Sequence, residues 1–258
     1  MPTRDQAPLG APCWTDLWTS DVEGSRRFYA ELFGWEAGEG SPEFDGYFMF
    51  SRDGVPVAGA MGPMGDQPAS DTWKIYLATD DVAATVERAA AAGAQVLVPP
   101  VPVADLGVQA VLLDPHRAQV GAWQAGTFPG FTVLAEVGAP SWFELHTDHH
   151  DEVVAFYRAT FGWETGVVGD TDEFRYTTVL EPGTGAEVAG VFDAAAQLGG
   201  ARSAWTTYWQ VADADRSAAR VAELGGSVLD EPKDSPYGRM ATVADPTGAT
   251  FRLHGPTA

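Results

Sequence analysis

The chain has 258 residues, 45% of them hydrophobic, enough to bury one large core or two of about 130 residues each. Asp and Glu number 36 against 15 Lys and Arg, a formal net charge of −21 that excludes nucleic acid as a partner, because phosphates need Lys and Arg. The acidity favours a cationic or neutral ligand, or serves solubility alone.

Cys13 is the one cysteine, so no internal disulfide can form. No apolar run reaches the ~18 residues of a membrane helix, and the opening MPTRDQAPLGAP lacks an apolar signal core. A cytoplasmic chain with no membrane partner is expected.

CWTDLWTS reads as a strand with alternating faces. Asp21 is a good N-cap for the amphipathic stretch that follows, and Gly34 stands where a C-cap belongs. YFMFSRDG and VPVAGAMG give strand, turn, strand. TWKIYLATDDVAATVERAAAAGAQVLV gives strand, helix, turn, strand, the helix capped by Asp80 or Asp81 and ended by Gly93. QAVLLDPHRAQVGAWQ closes this half as two strands around an Asp114-Pro115 turn. The order is βαβββ, twice.

The whole pattern then recurs. Trp14 aligns with Trp142, Phe28-Tyr29 with Phe156-Tyr157, and Gly34-Trp35-Glu36 with Gly162-Trp163-Glu164, each 128 residues apart. Trp73 and Tyr76 meet Trp205 and Tyr208 at a spacing of 132, and Asp114-Pro115 meets Asp245-Pro246 at 131. The drift marks insertions in loops. The predicted fold is α+β: four βαβββ modules forming two tandem domains, residues 8–125 and 139–256, joined by a linker over 126–138.

DVEGSRRFYAELFGW, DEVVAFYRATFGW and the turns DPTGA and DPHRA resemble the vicinal oxygen chelate superfamily of glyoxalases, extradiol dioxygenases and bleomycin-binding resistance proteins. His149 stands where the first copy has Asp21. The chain looks most like two-domain actinobacterial members, labelled glyoxalase/bleomycin resistance proteins or hydroxylases. The resemblance implies a His or Glu on the first and last strand of each module, converging on a divalent ion inside a cup.

In this sequence those positions fall near Trp14, Gly59, Lys74 and Gly121, and near Trp142, Gly190, Thr206 and Arg252. None is a good ligand. Lys and Arg only donate, and Trp has a single N–H and no acceptor. The usual four-ligand site is therefore expected to be absent and no cofactor is assigned to it. A divalent metal bound in an atypical way stays open.

If Trp14 faces into its cup, alternation turns Asp16 and Trp18 inward too, with Trp142, Glu144 and His146 equivalent in the second half. Lys74 and Tyr76, and Thr206 and Tyr208, join them. Arg252 lies across the cup from Glu144, and Leu17 and Leu145 point to the helices. Glu144 and His146 are candidate catalytic residues; Trp14, Asp16, Trp18, Lys74, Tyr76, Trp142, Thr206, Tyr208 and Arg252 are candidate ligand contacts. The competing reading is a Glu144–Arg252 ion pair bracing a closed cup filled by aromatics.

The run HTDHHDE looks like a metal cluster, but His149 and His150 start a helix and are expected to cap it or face solvent. His116 is expected to be exposed in its turn, and His254 to belong to a solvated tail or the second cup's rim. Cys13 should point away from the cup.

The leading functional reading is a binding protein that sequesters an aromatic or cationic metabolite or antibiotic. The alternative is a glyoxalase- or oxygenase-like enzyme, a lyase, isomerase or hydroxylase, working through Glu144 and His146 or an atypically held metal. A scaffold for protein contacts is a third. Fusing two domains makes a monomer plausible, with a homodimer also open.

Overall fold

The computed structural model describes residues 4–171, 173–199 and 202–257. The first module is β1 (Pro12–Trp18), α1 (Val22–Phe33), β2 (Glu36–Ala37), β3 (Phe48–Arg52) and β4 (Val55–Met61). The second is β5 (Thr72–Ala78), α2 (Val82–Ala91), β6 (Gln95–Val103), β7 (Gly107–Leu113) and β8 (Gln119–Ala125). The third is β9 (Pro140–Thr147), α3 (His150–Phe161), β10 (Glu164–Asp170), β11 (Arg175–Leu180) and β12 (Glu187–Asp193). A short helix α4 (Ala195–Leu198) leads to the fourth: β13 (Ala204–Gln210), α5 (Ala214–Glu223), β14 (Ser227–Ser235), β15 (Gly238–Ala244) and β16 (Thr250–Gly255).

The helix boundaries follow the local chemistry. The Asp21 and Asp81 carboxylates each accept a backbone N–H from the first turn of their helix, satisfying a donor that would otherwise have no partner. Gly34 and Gly162 end α1 and α3 in the left-handed region, where a side chain would be strained.

Each half forms one eight-stranded sheet, ordered β2-β3-β4-β1-β5-β8-β7-β6 and β10-β11-β12-β9-β13-β16-β15-β14. The pairing of β1 with β5 sets Trp14 opposite Tyr76 and Asp16 opposite Lys74. In the second sheet Trp142 faces Tyr208, Glu144 faces Thr206, and Arg252 lies beside Tyr208. Leu17 and Leu145 sit on the reverse face, fully buried among the helices.

The two hydrophobic cores are shared between the halves. One joins Leu17, Tyr29, Trp35 and Phe50 to Trp209, Val221 and Phe251; the other joins Ile75, Leu77 and Leu112 to Val153, Tyr157, Trp163 and Trp205. The repeated motifs supply the polar contacts of these cores. Tyr29 donates to Asp245 Oδ2 at 2.9 Å and accepts from Trp73 Nε1 at 3.2 Å. Its counterpart Tyr157 donates to Asp114 Oδ2 at 3.3 Å and accepts from Trp205 Nε1 at 3.0 Å.

Burial, reinforced by the neighbouring Asp, drives both tyrosine hydroxyls well above their ordinary value, so they remain donors. Trp35 and Trp163 likewise donate to Gly138 O and Gly10 O, each at 2.8 Å.

The altered turn is a local exception. Arg117 adopts φ 72° at the place where its counterpart Gly248 has φ 99°. A side chain in that region costs about 1–2 kcal/mol.

Tyr29→Phe should lower stability by about 1–3 kcal/mol, because the buried Asp245 loses a donor and Trp73 an acceptor. Urea unfolding checks this: the midpoint should fall with the slope unchanged. An unshifted midpoint would mean that the cross-half bond adds nothing.

Candidate functional site

The inward faces of the two sheets are built alike and finished differently. In the second half, Glu144 is buried and collects donors from four sides. Its Oε1 lies 2.6 Å from His146 Nε2, accepts from the Tyr208 hydroxyl at 2.6 Å, and is 3.8 Å from Arg252 Nη1. Its Oε2 accepts from the Tyr176 hydroxyl at 2.7 Å, and that hydroxyl accepts from Trp142 Nε1 at 2.9 Å. Arg252 Nη1 also donates to the Tyr208 hydroxyl at 2.6 Å, while its buried Nε has no partner.

Burial pushes the Glu144 carboxyl up, but the hydrogen bonds from His146, Tyr208 and Tyr176 outweigh it and hold the group below its ordinary value. The same burial, with the Glu144 charge beside them, raises the Tyr176 and Tyr208 hydroxyls. Glu144 is therefore a carboxylate that only accepts, so His146 Nε2 carries the proton it shares with Glu144. His146 Nδ1 has no hydrogen-bond partner among the described residues.

The first half keeps the outline. Trp14 Nε1 donates to Asp16 Oδ1 at 2.9 Å and lies 3.0 Å from the Tyr47 hydroxyl, which donates to Asp16 Oδ1 at 2.9 Å. Lys74 Nζ lies over the Tyr76 ring at 4.8 Å, and burial lowers its pKa despite the Asp16 charge. Tyr76 donates to Gln109 Oε1 at 3.0 Å, and Trp18 to Gly62 O at 2.8 Å.

A difference lies at the Trp positions. Phe128 and Phe131 of the connecting segment pack on Trp14 at 4.8 and 5.1 Å, leaving it 4% exposed. Trp142 is only half-buried and makes no ring contact among the described residues. Thr206, opposite Glu144, is half-buried as well.

The expected ligand positions do not fit a divalent ion. A Cβ at Gly59 would stand 1.9 Å from the Tyr47 hydroxyl, and one at Gly190 1.9 Å from the Tyr176 hydroxyl. Tyrosine hydroxyls from the adjacent strands fill the space that a ligand side chain would need. Gly121 makes room for the Tyr76 ring, 2.1 Å from its would-be Cβ, and Arg252 brings a cation. Tyr47 and Tyr176 escaped the sequence reading, although they recur 129 residues apart, in step with the rest of the repeat.

Three histidines depart from expectation. His150 is buried, not solvent-facing, because the helix start turns it inward. His116 is half-buried, its ring stacked on His149 at 4.1 Å across the two halves. His254 lies within β16, held by Ser141 Oγ at 3.0 Å and Tyr237 O at 2.8 Å, so it is no loose tail. Cys13 does point away from the cup; burial pushes its thiol up to about 12. Two surface clefts, of about 630 and 280 Å³, include none of the candidate site residues in their linings.

Paired cups of this topology define a class of folds that holds a glyoxalase and ring-cleaving dioxygenases. A Mn(II)-bound glyoxalase from Novosphingobium aromaticivorans superposes with a TM-score of 0.65 at 16% identity, covering 96% of this chain and 82% of that one. The 2,3-dioxygenase LapB from Pseudomonas sp. KL28 gives 0.64 at 12%, covering 98% and 94%.

The chain belongs to the Glyoxalase/Bleomycin resistance protein/Dioxygenase superfamily, whose family model matches residues 13–120 and 139–253. Among its relatives is CFP32 of Mycobacterium tuberculosis, provisionally named a glyoxylase, 36% identical over 99% of this chain and 98% of that protein. The anthracycline biosynthesis protein DnrV of Streptomyces peucetius is 38% identical over 95% and 92%.

Gly190→Ala should destabilise the protein by about 1–3 kcal/mol through overpacking against Tyr176. Adding Tyr176→Phe should recover part of that loss in a thermal melt, and additive losses would show that the two do not compete for space.

Glu144 also sets an acid dependence. Its contribution to stability is fully present above its ordinary value of 4.5 and is lost as pH falls through the lowered folded value. Glu144→Gln should therefore lower the melting temperature at neutral pH, with the gap to the parent closing in acid. A gap that stays constant with pH would contradict this.

Proposed function

We propose that the second cup binds a small planar, oxygen-bearing molecule and that His146 moves a proton on it. The observation that carries this reading is the Glu144–His146 contact of 2.6 Å, with Nδ1 left unpartnered. A carboxylate that fixes the tautomer of an imidazole and stabilises its charged form turns the free nitrogen into a directed base. His146 is the catalytic residue in this reading, and Glu144 is a positioning residue.

The other inward groups suit such a ligand. Trp142 offers a half-exposed flat face. Arg252, whose guanidinium is partly exposed, can hold an oxygen that gains negative charge as the proton leaves. No metal step is assigned, because the side chains at the expected ligand positions do not fit one. The known chemistry of the structural neighbours weighs towards catalysis, and the name of the Streptomyces peucetius relative makes an anthracycline a reasonable first probe. Sequestration without turnover is the second reading, supported by the aromatic lining.

Titrating an anthracycline against tryptophan fluorescence should give saturable quenching, and Arg252→Ala should weaken it about tenfold or more. Proton NMR in D2O should then show deuterium entering the bound compound next to a carbonyl, slowed about a hundredfold by His146→Gln. Binding with no exchange would favour sequestration. Binding indifferent to Arg252→Ala and to Trp142→Ala would place the ligand outside this cup.

A further inference from the structure

We propose that His116, His149 and Glu152 form a site for a divalent transition metal, of the zinc type, that ties the two halves of the chain together. His116 belongs to the Asp114-Pro115 turn of the first half. His149 and Glu152 lie at the start of α3 in the second, three residues apart and so on one side of the helix. Glu152 Oε2 is 3.0 Å from His116 Nε2 and 3.9 Å from His149 Nδ1. All three ligand atoms lie within 4.8 Å of one another.

The geometry is close to what an ion requires. Zinc bonds of about 2.0–2.1 Å in a tetrahedron put neighbouring ligand atoms about 3.3 Å apart. The widest separation in the trio needs to close by roughly 1.5 Å at most. His149 and Glu152 are exposed, so their side-chain torsions are free to supply this. Two imidazoles with one carboxylate suit zinc, nickel or copper, whereas magnesium and calcium prefer oxygen. The fourth position is left for water.

The backbone on both sides is already fixed. Asp114, two residues before His116, accepts the hydroxyl of Tyr157 from α3 itself. The ligands therefore meet without further ordering of the chain, which lowers the cost of binding. The positive end of α3 opposes a cation, while Asp148, Asp151 and the overall charge of −21 offset it. This site lies outside both cups and does not depend on what they bind.

The test is to titrate ZnCl2 into the full chain after chelator treatment. One equivalent should bind, and zinc at 100 times its Kd should raise the melting temperature by about 5–10 °C. His149→Ala and Glu152→Gln, both at exposed positions, should each weaken binding at least tenfold, as should His116→Ala. No bound zinc, or zinc binding unchanged in His149→Ala and Glu152→Gln, would overturn the site. Binding without a rise in melting temperature would overturn its role as a tie. Magnesium binding equally well would overturn the transition-metal assignment.

Discussion

The contact on which the architecture rests is the hydrogen bond from a tyrosine in one half to an aspartate in the other, made twice. Tyr29 reaches Asp245, and Tyr157 reaches Asp114. Each aspartate also organises its own turn: Asp114 takes the backbone N–H of His116 and Ala118, Asp245 those of Thr247 and Ala249. A carboxylate buried this deeply is tolerated only when its oxygens are satisfied. The turn and the helix therefore stabilise one another across the boundary between the halves. The F-Y motif and the D-P turn, which look like separate signatures in the sequence, are the two sides of one bond.

Much of the sheet was legible in the sequence because strand alternation is a local rule. Trp14, Asp16 and Trp18 share a face, and so do Trp142, Glu144 and His146, with Arg252 within 3.8 Å of Glu144. What escaped depends on distance in space and not on pattern along the chain. Nothing local says that Tyr47 and Tyr176 send their hydroxyls over Gly59 and Gly190. Nothing local brings His116 to His149, since that meeting follows from how the halves pack. The sharing of each core between halves was equally invisible, because hydrophobic periodicity shows that a face is buried without naming what buries it.

The two cups illustrate how few changes separate a filled interior from a usable one. Asp16 accepts from Trp14 and Tyr47, much as Glu144 accepts from Tyr208 and Tyr176. The second cup has a longer carboxylate, a histidine where the first has Trp18, and an arginine where the first has Gly121. With Thr206 in place of Lys74, these substitutions move the cup's cation to the last strand and put an imidazole beside the carboxylate. The linker phenylalanines act oppositely in the first cup, covering Trp14 with apolar surface.

The shared cores carry a consequence for how such a chain can diverge after duplication. Reverse-face residues and helices of one copy pack against the other, so a change there is felt by both. The inner-face residues Glu144, His146 and Arg252 make their polar contacts within their own cup. Phe-Tyr, Gly-Trp and Asp-Pro recur in both copies, as do Trp14 and Tyr76 on the inner face as Trp142 and Tyr208, while His146 replaces Trp18 and Arg252 replaces Gly121. Mutual packing acts as a brake on the motifs that meet across the halves, and new chemistry enters at positions such as His146 and Arg252 that lie outside those contacts.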